Sequence, residues 1–258
     1  MTPLIDRKTE YYQGQGSAYV AEVVNGVPGK FRHLGNLASL NVTQKRNVSK
    51  HKESQSGMGM TDLVLYDDPE IEIEIPLQKL NVANLLWMVK GSAHELPERT
   101  STDEAFEAGL VAGDLIRLPY PNVSDVQIVD SSAAPKTLEL GKHYLFSQQG
   151  MVEFLDLDGF TQPLKRSYKA GKATRVAMLT DTEREHWLRF EGLNRARSNE
   201  PLLIEYYRIQ TDLADKLDLI TDKLAEFTVK AQALSDPTKP LTGEYGQFGS
   251  ITKMAKAA

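Results

Sequence analysis

The chain has 258 residues, 41% of them hydrophobic, with a net charge of −5 and no cysteine. That is enough apolar material for one large or two small buried cores, and the missing thiols exclude disulfides, thiolate metal sites and cysteine nucleophiles. Lys and Arg are scattered among acids with no basic stripe, which argues against a dedicated nucleic-acid binder.

The opening MTPLIDRKTEYYQG has no apolar signal region, and no window approaches the ~18 uninterrupted apolar residues of a membrane span. The expectation is a soluble protein made in a cytoplasm. The Asn-X-Ser/Thr matches at Asn41, Asn47 and Asn122 then read as coincidence. Eighteen glycines and twelve prolines, spread along the chain, favour many short strands separated by turns.

Residues 1–16 read as a mobile or docking segment. Gly14 and Gly16 do not make a dinucleotide fingerprint, because no third glycine follows and no strand precedes them. Residues 17–24 and 30–34 read as strands, the first ending in the Asn25-Gly26 turn signal. The stretch 37–91 is the centre of the chain. Leu40 and Val42 alternate with polar neighbours going out, and Leu63 and Leu65 coming back. Between them lies a tip too polar for a core: Lys50, His51, Lys52, Glu53, Ser54, Gln55, Ser56, Gly57, Met58 and Gly59. The pattern predicts a hairpin arm at about residues 47–60, and its basic excess fits either a solvated edge or a contact between subunits. Glu70, Glu72 and Glu74 then alternate with Ile71, Ile73 and Ile75, the period of a half-buried strand, which Pro76 is expected to stop. A short helix follows at about residues 82–90. Asn81 would cap it, Val82, Leu85, Leu86 and Val89 would form its apolar face, and Gly91 would end it.

Residues 92–103 read as a polar linker or the edge of an insertion, placed at about 92–180. Strand-like runs resume at 110–118, 123–129, 136–140, 143–146, 151–155 and 168–179, at the spacing of a sandwich or barrel. Asp156-Leu-Asp158-Gly159 has an EF-hand start, but Ser167 stands where that loop needs a glutamate, so a turn held by Asp side chains is the expectation. Glu183, Glu185 and His186 cluster in sequence; on a strand His186 points away from the two glutamates, which leaves a charged strand entry. His33, His51, His94 and His143 stand without a triad-like context. No catalytic, cofactor or metal site is expected, and the chain does not read as an enzyme.

Leu213, Leu217, Ile220, Leu224, Phe227, Ala231 and Leu234 form a heptad stripe that by itself predicts a helix. The alternation of Leu217 with Leu219, and of Phe227 with Val229 and Ala231, predicts strands instead. Residues 235–258, rich in Gly and Pro, read as an extended tail held only by a neighbour.

The opening YYQGQGSAYVAEVVNGVPGKFRHLGNLASLNV, the arm HKESQSGMGMTDL, the alternating strand and the helix NVANLLWMVKG, in that order, resemble the tail tube (major tail) proteins of tailed bacteriophages. The resemblance covers the first 90 residues. It extends more weakly through LELGKHYLFSQQGMVEF and HWLRFEGLN to LIEYYRI. It implies an antiparallel β-sandwich or half-barrel over residues 17–234, with one flanking helix and the hairpin arm. A final strand pair turning near Thr221 and Asp222 would replace the helix of the heptad stripe. Six copies would form a ring, and stacked rings a virion tail tube assembled in the bacterial host cytoplasm. Such a tube encloses the tape measure protein, meets tail tip and tail terminator proteins, and conducts DNA without specific binding or a membrane. Glu70, Glu72 and Glu74 would then be candidates for the channel lining. The inner tube of a tail-like bacteriocin or type VI secretion device shares this fold; a monomeric β-sandwich binding module is the remaining alternative.

Overall fold

The computed structural model describes residues 11–181, 184–214, 216–240 and 242–254. The start of the expected docking segment, Glu183 and the last residues of the tail therefore lie outside the described residues. Strand makes up 52% and helix 5%, so the fold is mainly β, antiparallel and sandwich-like with one α-helix among the described residues, as expected. The chain divides into two compact units, residues 1–92 with 178–258, and residues 93–177.

The first unit begins with β1 (Gly14–Val24), β2 (Val27–Pro28) and β3 (Arg32–His33). Asn25 and Gly26 both adopt positive φ, 53° and 76°, the backbone that a tight hairpin turn needs and Asn-Gly supplies most readily. The next two strands, β4 (Asn41–Lys52) and β5 (Thr61–Leu77), lead into helix α1 (Val82–Val89). The second unit holds β6 (Ser92–Leu96), β7 (Arg99–Ala105), β8 (Leu115–Arg117), β9 (Val123–Val129), β10 (Tyr144–Phe146), β11 (Met151–Phe154), β12 (Lys165–Ala170) and β13 (Ala173–Ala177). The chain returns to the first unit with β14 (Glu185–Asn194), β15 (Glu200–Ala214), β16 (Phe227–Ala233) and β17 (Gly249–Lys253).

One nine-stranded sheet organises the first unit, in the order β2-β1-β14-β15-β16-β5-β4, with β17 added to β15 and β3 to β1. All its ladders are antiparallel. Ile71, Ile73 and Ile75 point into the core beside Val229, Ala231 and Ala233 of β16, while Glu70, Glu72 and Glu74 stay exposed. The period-2 pattern decides this: each isoleucine gains roughly 1.5–3 kcal/mol from leaving water, and each carboxylate would lose by doing so.

Several expectations need correction. Pro76 does not stop the strand; it lies within β5 opposite Thr228, beyond Glu74, where the ladder with β4 ends. Asn81 caps α1 as expected, its Oδ1 accepting from the Asn84 N–H at 2.8 Å. The helix ends at Lys90 instead of Gly91: Lys90 takes the left-handed conformation (φ 43°), and the Gly91 N–H bonds to the Leu86 carbonyl. Its buried face is also rotated from the predicted one, with Asn84, Trp87, Met88 and Val89 inside and Val82 exposed. The polar Asn84 is at home there because it donates to the Leu34 and Lys79 carbonyls and accepts from Arg32 Nη1.

Residues 92–103 contain most of β6 and β7 instead of a linker. Residues 136–140 form isolated bridges at Thr137 and Leu140, and of residues 110–118 only Leu115–Arg117 is strand. The contest over residues 213–234 ends with strands: β15 and β16 pair, and no helix forms among the described residues there. Their connection is a long irregular loop over residues 216–226, however, so the alternation of Leu217 and Leu219 is not that of a strand. The tail is held by its own chain. Its β17 pairs with Leu202–Tyr206 of β15, and Asp236 is buried, accepting from the Thr238 N–H and hydroxyl.

The second unit packs two three-stranded sheets, β10-β11-β8 and β7-β12-β9, around its own core of Phe106, Ile128, Tyr144, Val152, Phe154, Leu164 and Tyr168, among others. Asp130, fully buried, ties its loops together by accepting from the Lys136 and Thr161 N–H groups and the Ser132 hydroxyl. Burial would raise its carboxyl, but these donors overcome that and hold it at about 2. Asp156 accepts from the Asp158 N–H ahead of Gly159, the turn held by an Asp side chain that was expected there.

Candidate functional site

The arm is the outer half of the β4–β5 hairpin. Pairing of β5 with β16 ends at Ile71, opposite Ala233. From Glu70 outward β5 has β4 alone as a partner, a two-stranded ribbon of about 30 Å at ~3.3 Å per residue. Lys50, His51 and Lys52, expected in the tip, belong to β4, with His51 opposite Leu63 and Lys52 opposite Thr61. They can be strand because polar side chains cost nothing on a ribbon with no buried face.

The tip proper is residues 53–60. The Glu53 N–H donates to the Met60 carbonyl at 2.8 Å, and the Glu53 carboxylate accepts from the Ser56 hydroxyl and from the Ser56 and Gln55 N–H groups. These donors, the Ser56 hydroxyl foremost, hold the Glu53 carboxyl below its ordinary value. Ser54, Gly57 and Gly59 fill the exposed turn, with both glycines at positive φ.

Polar contacts run along the ribbon. His51 Nδ1 lies 2.7 Å from Asp62 Oδ1, and Arg46 donates to the Asp67 carbonyl while stacking over Tyr66 at 4.9 Å. A register shift between Arg46 and Val48 lies just outward of the point where the ribbon leaves the body. Yet the arm is not simply polar. Leu63, Val64, Leu65 and Tyr66 run consecutively, so two face each way, and the register joins Val48 to Tyr66 on one face. All five, with Met58 and Met60, are exposed. The sequence reading takes Leu63 and Leu65 as apolar positions alternating with polar neighbours, and passes over Val64 and Tyr66 between and beside them. The informative signal was the unbroken apolar run, which no single-faced strand needs.

The glutamate face is less acidic than the strand alone implied. Lys45 pairs with Glu72 at 2.6 Å, and Lys230 of β16 stands opposite Glu74. With Gln210 and Gln232 these residues line an open groove of about 800 Å³ across β4, β5, β16 and β15. It is a mixed-charge surface.

A second exposed element was not read from the sequence. In the loop 216–226, Leu219, Ile220 and Leu224 are 86%, 98% and 84% exposed, and Leu217 is exposed as well. The sequence reading places Leu217, Ile220 and Leu224 in a heptad stripe, and Leu217 with Leu219 in a strand alternation, and neither pattern describes an exposed loop.

His186 and His143 are held by packing and hydrogen bonds within the fold. Glu185 and Arg208 form a two-pronged ion pair at 2.6–2.7 Å, while His186, on the next residue of the strand, packs edge-on against Trp87. Burial foremost, then the charge of Arg32, keeps His186 below its ordinary value. His143 Nδ1 accepts from the Glu139 N–H. Among the described residues no three His, Asp or Glu side chains are placed to hold a metal ion, and no helix is long and apolar enough to cross a membrane.

No curated protein matches the chain. A family model matches residues 11–252, nearly the whole length, and on that match the chain belongs to the family described as protein of unknown function UCP028589.

Proposed function

We propose that this chain is the building block of a tube of the phage tail type, six copies closing into a ring and rings stacking head to tail. The observation that carries the reading is the arm. A two-stranded ribbon is at best marginally stable in water, and this one carries apolar side chains on both faces with no cover from its own chain. Such a ribbon is completed by a neighbouring copy. The large sheet supports the same reading, because β4 forms an unpaired edge along Asn41–Lys52, and edges of this kind invite pairing. A contact between two different surfaces of identical subunits closes into rings or propagates along an axis.

The tube would enclose the tape measure protein and conduct DNA, with tip and terminator proteins at its ends. A conduit should not grip its cargo, since each neutralised phosphate adds affinity and friction. The groove bearing Glu70, Glu72 and Glu74 among lysines and glutamines suits a lining of that kind. Replacing all three glutamates by lysine should slow DNA ejection from assembled virions, and an unchanged ejection rate would remove them from the lining.

Negative-stain electron microscopy of the purified protein, beside mass from light scattering, tests the reading itself. Rings or tubes with a central channel are the expected result. A strict monomer at every concentration, even with tail tip complexes added, overturns it in favour of a monomeric binding module.

A further inference from the structure

The loop 216–226 and the arm leave the large sheet at opposite ends. β16 begins at Phe227 beside Leu77, and Glu226 accepts from Gln78, so the loop lies at the inner end of β5. The arm tip lies at its other end, with about 50 Å of β5 between Thr61 and Leu77 at ~3.3 Å per residue. One copy therefore cannot place its arm on its own loop. Both elements nevertheless expose what an aqueous surface disfavours. The loop presents Leu217, Leu219, Ile220 and Leu224, and the arm presents Val48, Met58, Met60 and the run from Leu63 to Tyr66.

We propose that the loop 216–226 of one copy is the receiving surface for the arm of the next. This rests on the tube reading and names the contact that would propagate it. Two apolar elements at opposite ends of one rigid sheet are complementary only head to tail, and a contact of that geometry repeats without limit along an axis. The arm as a whole carries both signs, Lys45, Arg46, Lys50 and Lys52 against Glu53, Asp62, Asp67, Asp68 and Glu70. So does the loop, Lys216 and Lys223 against Asp218, Asp222 and Glu226, so the two elements are brought together by their apolar side chains and not by opposite net charge. The irregular backbone of the loop lets its aliphatic side chains splay around an inserted ribbon, which a flat sheet face could not do.

The test is photo-cross-linking from benzoylphenylalanine placed at position 220, in an assembly mixed from isotopically heavy and light copies. Cross-linked peptides joining position 220 to residues 53–66, with heavy and light partners combined, are the expected product. Ile220→Asp should abolish tubes, with circular dichroism showing the sheet intact. Tubes that form normally from the Ile220→Asp protein, or tubes whose cross-links from position 220 miss the arm, overturn this contact and leave the tube reading standing. Cross-links confined to single copies also overturn it. A wild-type protein that stays monomeric in the microscope removes both.

Discussion

Strand β5 is two regions in one. Its inner half, from Ile71 to Leu77, pairs with β16 throughout and with β4 as far as Glu74, and buries Ile71, Ile73 and Ile75 to Leu77; its outer half, from Thr61 to Glu70, has one partner and buries nothing. The backbone is the same, so the difference lies in who covers the side chains. The inner half is finished by its own chain, and the outer half is left uncovered. In the proposed assembly, the burial that the inner isoleucines contribute to folding is, in the arm, left to association.

The comparison can be broken most sharply by deleting residues 49–59. Assembly should be lost entirely while the thermal unfolding of the monomer stays close to that of the intact chain. A protein that fails to fold without the arm would show that the outer half belongs to the core after all. Next in size, Ile73→Ala should cost about 2–5 kcal/mol in denaturant unfolding, the usual range for truncating a fully buried isoleucine. Leu65→Ala, on the same strand, should stay within ~0.5 kcal/mol in the monomer, as exposed positions do.

Acid offers a finer contrast between the two units. His186 sits below its ordinary 6.5, so its contribution is complete above about that pH and is lost as the pH falls toward its folded value. Asp130 is held at about 2 against an ordinary 3.8, so its contribution persists to lower pH and is lost between those two values. Separate probes of the two units in an acid titration should lose signal in that order, and His186→Gln should flatten the first decline. The smallest effect is expected from Lys45→Ala. It breaks an exposed ion pair with Glu72, worth ~0.2–1 kcal/mol, and the loss should shrink in high salt.

How much of this was legible depends on whether a residue's environment is set locally. The alternation from Glu70 to Ile75 revealed the inner strand because one face is buried, and a period-2 pattern encodes that directly. The Asn25-Gly26 turn and the Asn81 cap were legible because their conformations are decided by the residues themselves. The end of α1 was not. Lys90 carries the left-handed conformation that Gly91 was expected to take, because the helix stops where the chain must turn toward its next strand. The face of α1 was also missed, since Asn84 looks like a surface residue until the Leu34 and Lys79 carbonyls and Arg32 are brought to it by tertiary structure. At the candidate site the polar tip was readable, but the exposed apolar loop 216–226 was not. A run of leucines carries no mark that distinguishes an interior from a surface.

The continuity of β5 has a mechanical consequence. Any pull on the arm tip runs along the strand axis into the seven residue pairs that β5 makes with β16 and the innermost pairs it makes with β4. Ladder hydrogen bonds lie across that direction, so the load meets them side by side and they must shear together instead of opening one after another. An arm joined to the body through a flexible hinge would swing or peel. In the proposed assembly, this one could carry tension from copy to copy.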